Sequence, residues 1–138
     1  MKKFITLLLA TILSFSANAG TKDELDCFAK AIYHEARGEP LTGQIAVGWV
    51  ILNRVLSPAY PHSICDVVYQ TNQFSWTSMK HSLTNMGDFI SAKSLASDII
   101  EGIHPDPTNG ALYFNNLGVR PYRHSTLTLR VQHHYFYK

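Results

Sequence analysis

Residues 42–56 (TGQIAVGWVILNRVL) constrain the fold more than any other part of the chain. Ile45, Ala46, Val47, Trp49, Val50, Ile51, Leu52 and Val55 leave almost no polar face at helical spacing. That is the mark of a helix buried on all sides, and such a helix needs other elements packed around it. Thr42 is placed to cap its start, and Ser57-Pro58 closes it. Gly48 lowers helix stability by about 1 kcal/mol, so it marks a close approach by another element.

Directly upstream stands HEARGEP, residues 34–40, with His34, Glu35, Arg37 and Glu39 crowded against that apolar run. Leu25, Phe28, Ala29, Ile32, Tyr33 and Ala36 predict a first helix from about Asp23. Asp23, Glu24 and Asp26 favour its N-terminus, and Gly38 and Pro40 end it. On an intact helix Glu35 and Glu39 would share a face. A solvated helix end with locally paired charges is one reading, and it contributes little stability. The other reading follows from Tyr33 and Ala36, which place Glu35 at the edge of the apolar stripe. Partial burial there raises a carboxyl pKa toward that of a general acid.

Residues 1–19 read as a secretory signal peptide: Lys2 and Lys3, the apolar run Phe4–Phe15, then Ala17-Asn18-Ala19. Gly20, not cysteine, follows the cleavage site, so no lipid anchor is expected, and no later segment reaches the roughly 20 apolar residues of a membrane span. Removing residues 1–19 from 138 leaves 119, a length that suits one domain, residues 20–138. It also leaves ten basic against ten acidic residues, and Arg120, Arg123 and Arg130 are spaced, so no nucleic-acid footprint is expected. Export favours a Cys27–Cys65 disulfide, with two buried free thiols as the alternative.

Ile64–Tyr69 is a short apolar segment, helical or extended. Asn72–Ser78 (NQFSWTS) has no clean period. Ser91–Ile103 reads as a helix, with Ala92, Leu95, Ala96, Ile99 and Ile100 on one stripe, and residues 104–110 (HPDPTNG) are a loop. Ala111–Asn115 and Thr126–Tyr137 predict a small antiparallel sheet, with Leu127, Leu129 and Val131 on one side. The class is α+β, mainly helical.

Alternative chemistries lack their motifs. His34-Glu35 is not HExxH, no histidine pair is spaced four apart, and His133 and His134, adjacent on a strand, point to opposite faces. No GxSxG elbow occurs, and a disulfide removes cysteine nucleophiles. No cofactor or metal is expected. The aromatics Phe74, Trp76, Tyr113, Phe114, Tyr122, Tyr135, Phe136 and Tyr137, with Gln73, Ser75, Asn115 and Asn116, suit either core or a groove for sugar rings.

The stretch AIYHEARGEPLTGQIAVGWVILNRV, Ala31 to Val55, resembles the signature of the SleB/CwlJ-type cell-wall hydrolases, which include spore-cortex lytic enzymes. The resemblance continues through YPHSIC (Tyr60–Cys65), VVYQ (Val67–Gln70), QFSWT (Gln73–Thr77), GALYFNN (Gly110–Asn116) and HHYFYK (His133–Lys138). It implies a lysozyme-like, mainly helical domain without peptidoglycan-binding repeats that cleaves the glycan strand. Glu35, the first glutamate of EARGE, matches the family's acid. Glu39, Gln73, Ser75, Trp76, Tyr113, Asn115 and His134 are the candidate substrate-binding residues. No other acidic residue stands in a motif, so a single-glutamate lytic transglycosylase is expected. A muramidase-type hydrolase and a non-catalytic peptidoglycan-binding module are the alternatives. The expected partner is peptidoglycan, and the expected form is an exported monomer, periplasmic or wall-associated, with no membrane anchor.

Overall fold

The computed structural model describes residues 21–80 and 82–138. The expected signal peptide, residues 1–19, lies outside the described residues. Among the described residues, four helices form the body: α1 (Thr21–Ala36), α2 (Leu41–Leu56), α3 (Ile64–Val68) and α4 (Met86–Ile100). A short 3-10 turn spans Ser75–Ser78. Strands β1 (Tyr113–Asn115), β2 (Leu127–Val131) and β3 (His134–Tyr137) make an antiparallel sheet of order β1-β3-β2. The class is the expected mainly helical α+β.

The all-round apolarity of α2 is explained by its place between two cores. Ile51 joins Phe28, Ile32, Tyr33, Val67, Val68, Leu95 and Ile99 on the helical side. Ala46, Val47 and Val50 join Ala36, Ala111 and Phe136 on the sheet side. Gly48 marks the expected close approach: a Cβ there would lie 2.8 Å from Ile99 Cδ1 and 3.3 Å from Phe28 Cζ.

Several boundaries differ from expectation. Thr42 does not cap α2. The cap position is Pro40, which makes no side-chain cap, and its carbonyl accepts from Gly43 N at 2.8 Å and Gln44 N at 3.1 Å. Helix α4 starts five residues earlier than its apolar stripe suggests, because the Asn85 side chain caps it by accepting from Asp88 N. It ends at Ile100, where Gly102 (φ +78°) lets Ile103 N reach back to Asp98 O. In the sheet, the register shifts between Leu127 and Leu129. Leu129 and Val131 pack against the core, but the irregularity turns Leu127 out to solvent.

The Cys27–Cys65 disulfide is present and ties α1 to α3 across 38 residues. Glu24 adds a second tie by accepting from Ile64 N at 2.6 Å, at the start of α3. On the sheet side, α2 holds the 104–112 loop through three polar side chains. Trp49 Nε1 donates to His104 O, Asn53 Nδ2 to Ala111 O and to Asp106 Oδ2, and Arg54 Nε to Leu112 O.

Asp106 organises that loop, accepting also from Thr108 N, Thr108 Oγ1 and Gly110 N. Burial alone would push its carboxyl up, but these donors together hold it below the ordinary value. The carboxylate therefore stabilises the fold above its unfolded pKa, and that contribution is lost as pH falls through the depressed folded value. Asp106→Ala is expected to destabilise the protein by roughly 1–3 kcal/mol, since it strands several donors. Denaturant titration reads the loss, which should shrink toward acid pH.

Candidate active site

Helix α1 delivers Glu35 in its last turn, and the chain then reverses through Gly38 (φ +92°). Glu39 N donates to Ala36 O at 3.0 Å, and Gln44 Nε2 donates to Glu39 O at 3.0 Å. Although the helix stops at Ala36, this turn returns Glu39 to the same side as Glu35. Both line a cavity of about 440 Å³ together with Arg54, Gln73, Phe74, Phe114, Asn115, Asn116, His133 and His134. Arg37 points elsewhere. Its guanidinium donates to Tyr33 Oη and Thr84 Oγ1 and lies over the Tyr33 ring, fastening α1 to the segment before α4.

Glu35 is half-buried, and desolvation pushes its carboxyl above the ordinary value. The Trp76 side chain and the Arg54 charge act in the opposite direction. Arg54 is only 5 % exposed, and burial lowers its own pKa. Its Nε holds Leu112 O at 2.8 Å and its guanidinium lies near the Tyr60 and Phe74 rings. Its Nη1 is buried and without a hydrogen-bond partner. A buried, incompletely paired cation beside a half-buried carboxyl is an arrangement kept for chemistry more often than for stability.

Glu39 sits differently. Its side chain is 8 % exposed, and Oε1 lies 3.3 Å from His134 Nδ1 and 3.4 Å from His133 Nδ1. These contacts lack directed hydrogen-bond geometry, and Oε2 has no partner. The two histidines do not point to opposite faces as strand neighbours would. His133 lies in the β2–β3 turn, where Gln132 takes φ +43°, and only His134 belongs to β3. Among the described residues, no group of three or more His, Cys, Asp or Glu side chains could hold a metal ion.

Five of the residues expected at the site, Glu39, Gln73, Asn115, His134 and Glu35 itself, line this cavity. Three do not. Ser75 is exposed and accepts through its carbonyl from Ser78 Oγ within the 3-10 turn. Trp76 is buried, stacked on His34 at 4.5 Å and near Phe74, and its outer side borders a separate cavity of about 150 Å³. Tyr113 packs against Tyr122, and the Tyr60 hydroxyl raises its pKa. Sequence reasoning did not single out Arg54 and His133 for the site. The NRV triplet, an arginine inside an otherwise apolar helix, was the available signal for Arg54. For His133 the signal was the HHYFYK segment, but its place at the site depends on a turn of unusual backbone geometry.

Comparisons with known proteins bear on the family and the fold. The family model described as Cell Wall Hydrolase matches residues 38–137, a span that holds every cavity-lining residue except Glu35. The spore cortex-lytic enzyme of Bacillus cereus is 36% identical over 99 residues, covering 72% of this chain and 37% of that protein. That of Bacillus subtilis is 36% identical over 96 residues, covering 70% of this chain and 30% of that protein. The matched segment thus spans about a third of these relatives. Among solved structures, the catalytic domain of the Bacillus cereus SleB protein matches with a TM-score of 0.69 at 30% identity, covering 88% of this chain and 94% of that one. The catalytic domain of the germination-specific lytic transglycosylase SleB from Bacillus anthracis matches with a TM-score of 0.69 at 30% identity, covering 88% of this chain and 98% of that one. The fold is therefore the mainly helical, lysozyme-like one with a small sheet.

Proposed function

The chain belongs to the cell wall hydrolase family, and from that premise we propose that it cleaves the peptidoglycan glycan strand as a lytic transglycosylase, with Glu35 as the sole acid and base. The observation that carries this reading is the asymmetry of the two cavity carboxyls. Burial pushes Glu35 toward its protonated form, while Glu39 lies against two histidines.

In the first half of the reaction, protonated Glu35 gives its proton to the bridging glycosidic oxygen as the C1–O bond of the muramoyl residue breaks. The Glu35 carboxylate then takes the proton of the muramoyl C6 hydroxyl, whose oxygen bonds to C1. The product is a 1,6-anhydro ring, no water is consumed, and Glu35 ends protonated. The nucleophile belongs to the same sugar, so proximity replaces a positioned water. Arg54 supports the carboxylate that exists between the two transfers. Glu39, Gln73 and His134 hold the sugar, and Asn115 shapes the cavity wall beside them. One observation favours a muramidase-type hydrolase as the second reading: Glu39 shares the cavity, and two carboxyls flanking the bond are what hydrolysis needs.

Release of soluble fragments from purified sacculi tests the activity. Glycan binding without release would make the domain a binding module and overturn the proposal. The pH profile tests the acid. Cleavage should fall as pH rises through the raised Glu35 pKa, because the acid must start protonated. Arg54→Met should move that alkaline limb upward, since the lost cation had favoured the carboxylate, and lower kcat/KM on the order of tenfold, about 1.4 kcal/mol. A limb that stays in place removes Arg54 from the chemistry.

The same reading places the protein outside the cytoplasm as a monomer, periplasmic or wall-associated, after loss of residues 1–19. The disulfide suits an oxidising compartment. No helix among the described residues is long and apolar enough to cross a membrane. An exported form beginning at Gly20 is the expected mass.

A further inference from the structure

All ten acidic residues lie at or before Asp106. From residue 107 to the end the chain carries Arg120, Arg123, Arg130, Lys138 and three histidines, and no acid. The sheet and its loops, which form one wall of the cavity, are therefore cationic against a helical body in which acids predominate. The charge is most open in the loop between β1 and β2, where residues 116–124 are all exposed. Among the described residues, neither Arg120 nor Arg123 has a salt-bridge partner.

This loop is braced. Asn115 Nδ2 donates to Val119 O at 2.7 Å, and Asn115 Oδ1 accepts from Leu117 N and Gly118 N. Gly118 (φ +67°) rests on the Tyr135 ring, where a Cβ would meet ring carbons at 3.2 Å. Tyr122 packs edge-on against Tyr113 at 5.1 Å. Yet this braced segment leaves Leu117 77 % and Val119 62 % exposed. Exposed apolar side chains on a braced backbone, close in sequence to arginines without salt bridges, mark a contact surface. The surface adjoins the cavity, because Asn115 and Asn116, which line the cavity, lead directly into it.

We propose that residues 117–124 form a second substrate-binding surface that takes the carboxylate-bearing stem peptide of a muramoyl residue lying in the cavity. Arginine forks match carboxylates in a paired geometry, and Leu117 and Val119 suit the methyl groups of an alanine-rich peptide. The assignment rests on the proposed glycan substrate, and it makes the chain a reader of peptide-bearing strands in preference to bare ones.

The test compares glycan strands carrying their peptides with the same strands stripped by an amidase. Binding is measured with Glu35→Gln protein, so no turnover is needed, and kinetics with otherwise native protein. The expected result is roughly threefold to tenfold tighter binding, and a matching lower KM, for peptide-bearing strands, the scale of a few exposed charge pairs. Arg120→Ala/Arg123→Ala should abolish the preference while leaving binding and cleavage of stripped strands unchanged, and added salt should weaken only the peptide-dependent part. Equal affinity of the native loop for both strands overturns the proposal. So does a double variant that loses affinity only for phosphatidylglycerol vesicles, which would assign the loop to a membrane surface. Discrimination in binding with no cleavage of either strand would uphold the loop and overturn the catalytic reading instead.

Discussion

Glu35→Gln is expected to lower strand cleavage on the order of 10³-fold or more while the protein stays folded, since it removes both proton transfers from one residue. The fold should not suffer. Burial raises the Glu35 pKa, so the native state holds this proton more tightly than the unfolded chain does. Stability conferred by the protonated form is therefore present at low pH and lost as pH rises from the unfolded to the folded pKa. A neutral amide escapes that loss, and Glu35→Gln should match or exceed the native Tm at neutral pH. Circular dichroism melts beside a sacculus-release assay read both halves. A variant that remains active removes Glu35 from the chemistry. One that melts early would make the lost activity a folding defect.

The second large effect concerns stability. Replacing Cys27 and Cys65 by serine should destabilise the protein by about 3–4 kcal/mol, the chain-entropy value for a loop of this length. In a domain of this size that lowers Tm by roughly 10–15 °C. The location sharpens the expectation. Helix α3 is a five-residue helix, too short to persist alone, and the disulfide and Glu24 fasten it to α1. Val67 and Val68 carry that tie into the core beneath Phe74 and Trp76. Loss of the disulfide should therefore loosen the QFSW segment first, which hydrogen exchange at residues 64–78 would show as faster exchange than in α2. An unchanged Tm contradicts this account.

Much of the molecule was legible because its signals are local. The apolar period of Ala31–Val55, broken by Gly38 and Pro40, gave α1, the turn and α2, and with them the position of Glu35. Compartment and an even cysteine count gave the disulfide pair. What stayed illegible depends on contacts distant in sequence. Glu39 meets His133 and His134 only because Gln132 adopts positive φ and the β2–β3 hairpin folds back on α2. Arg54 stands out in the sequence as the arginine of NRV in an apolar helix, but its place at the site follows from Leu112, which α2 reaches across the 104–112 loop. Trp76 reads in the sequence as either core or groove wall; it is buried against His34 and Phe74, with its side chain acting on Glu35. Asn115 looked like a free amide for substrate, and its carboxamide is instead engaged by Leu117, Gly118 and Val119.

The single-glutamate mechanism makes a chemical claim that one measurement decides. Purified sacculi digested with the protein are examined by mass spectrometry, with and without ¹⁸O-labelled water. The account predicts muropeptides ending in 1,6-anhydromuramic acid, lighter by one water than ordinary reducing ends and free of label. Reducing ends that carry ¹⁸O would contradict it and make the enzyme a hydrolase with Glu39 as the second carboxylate.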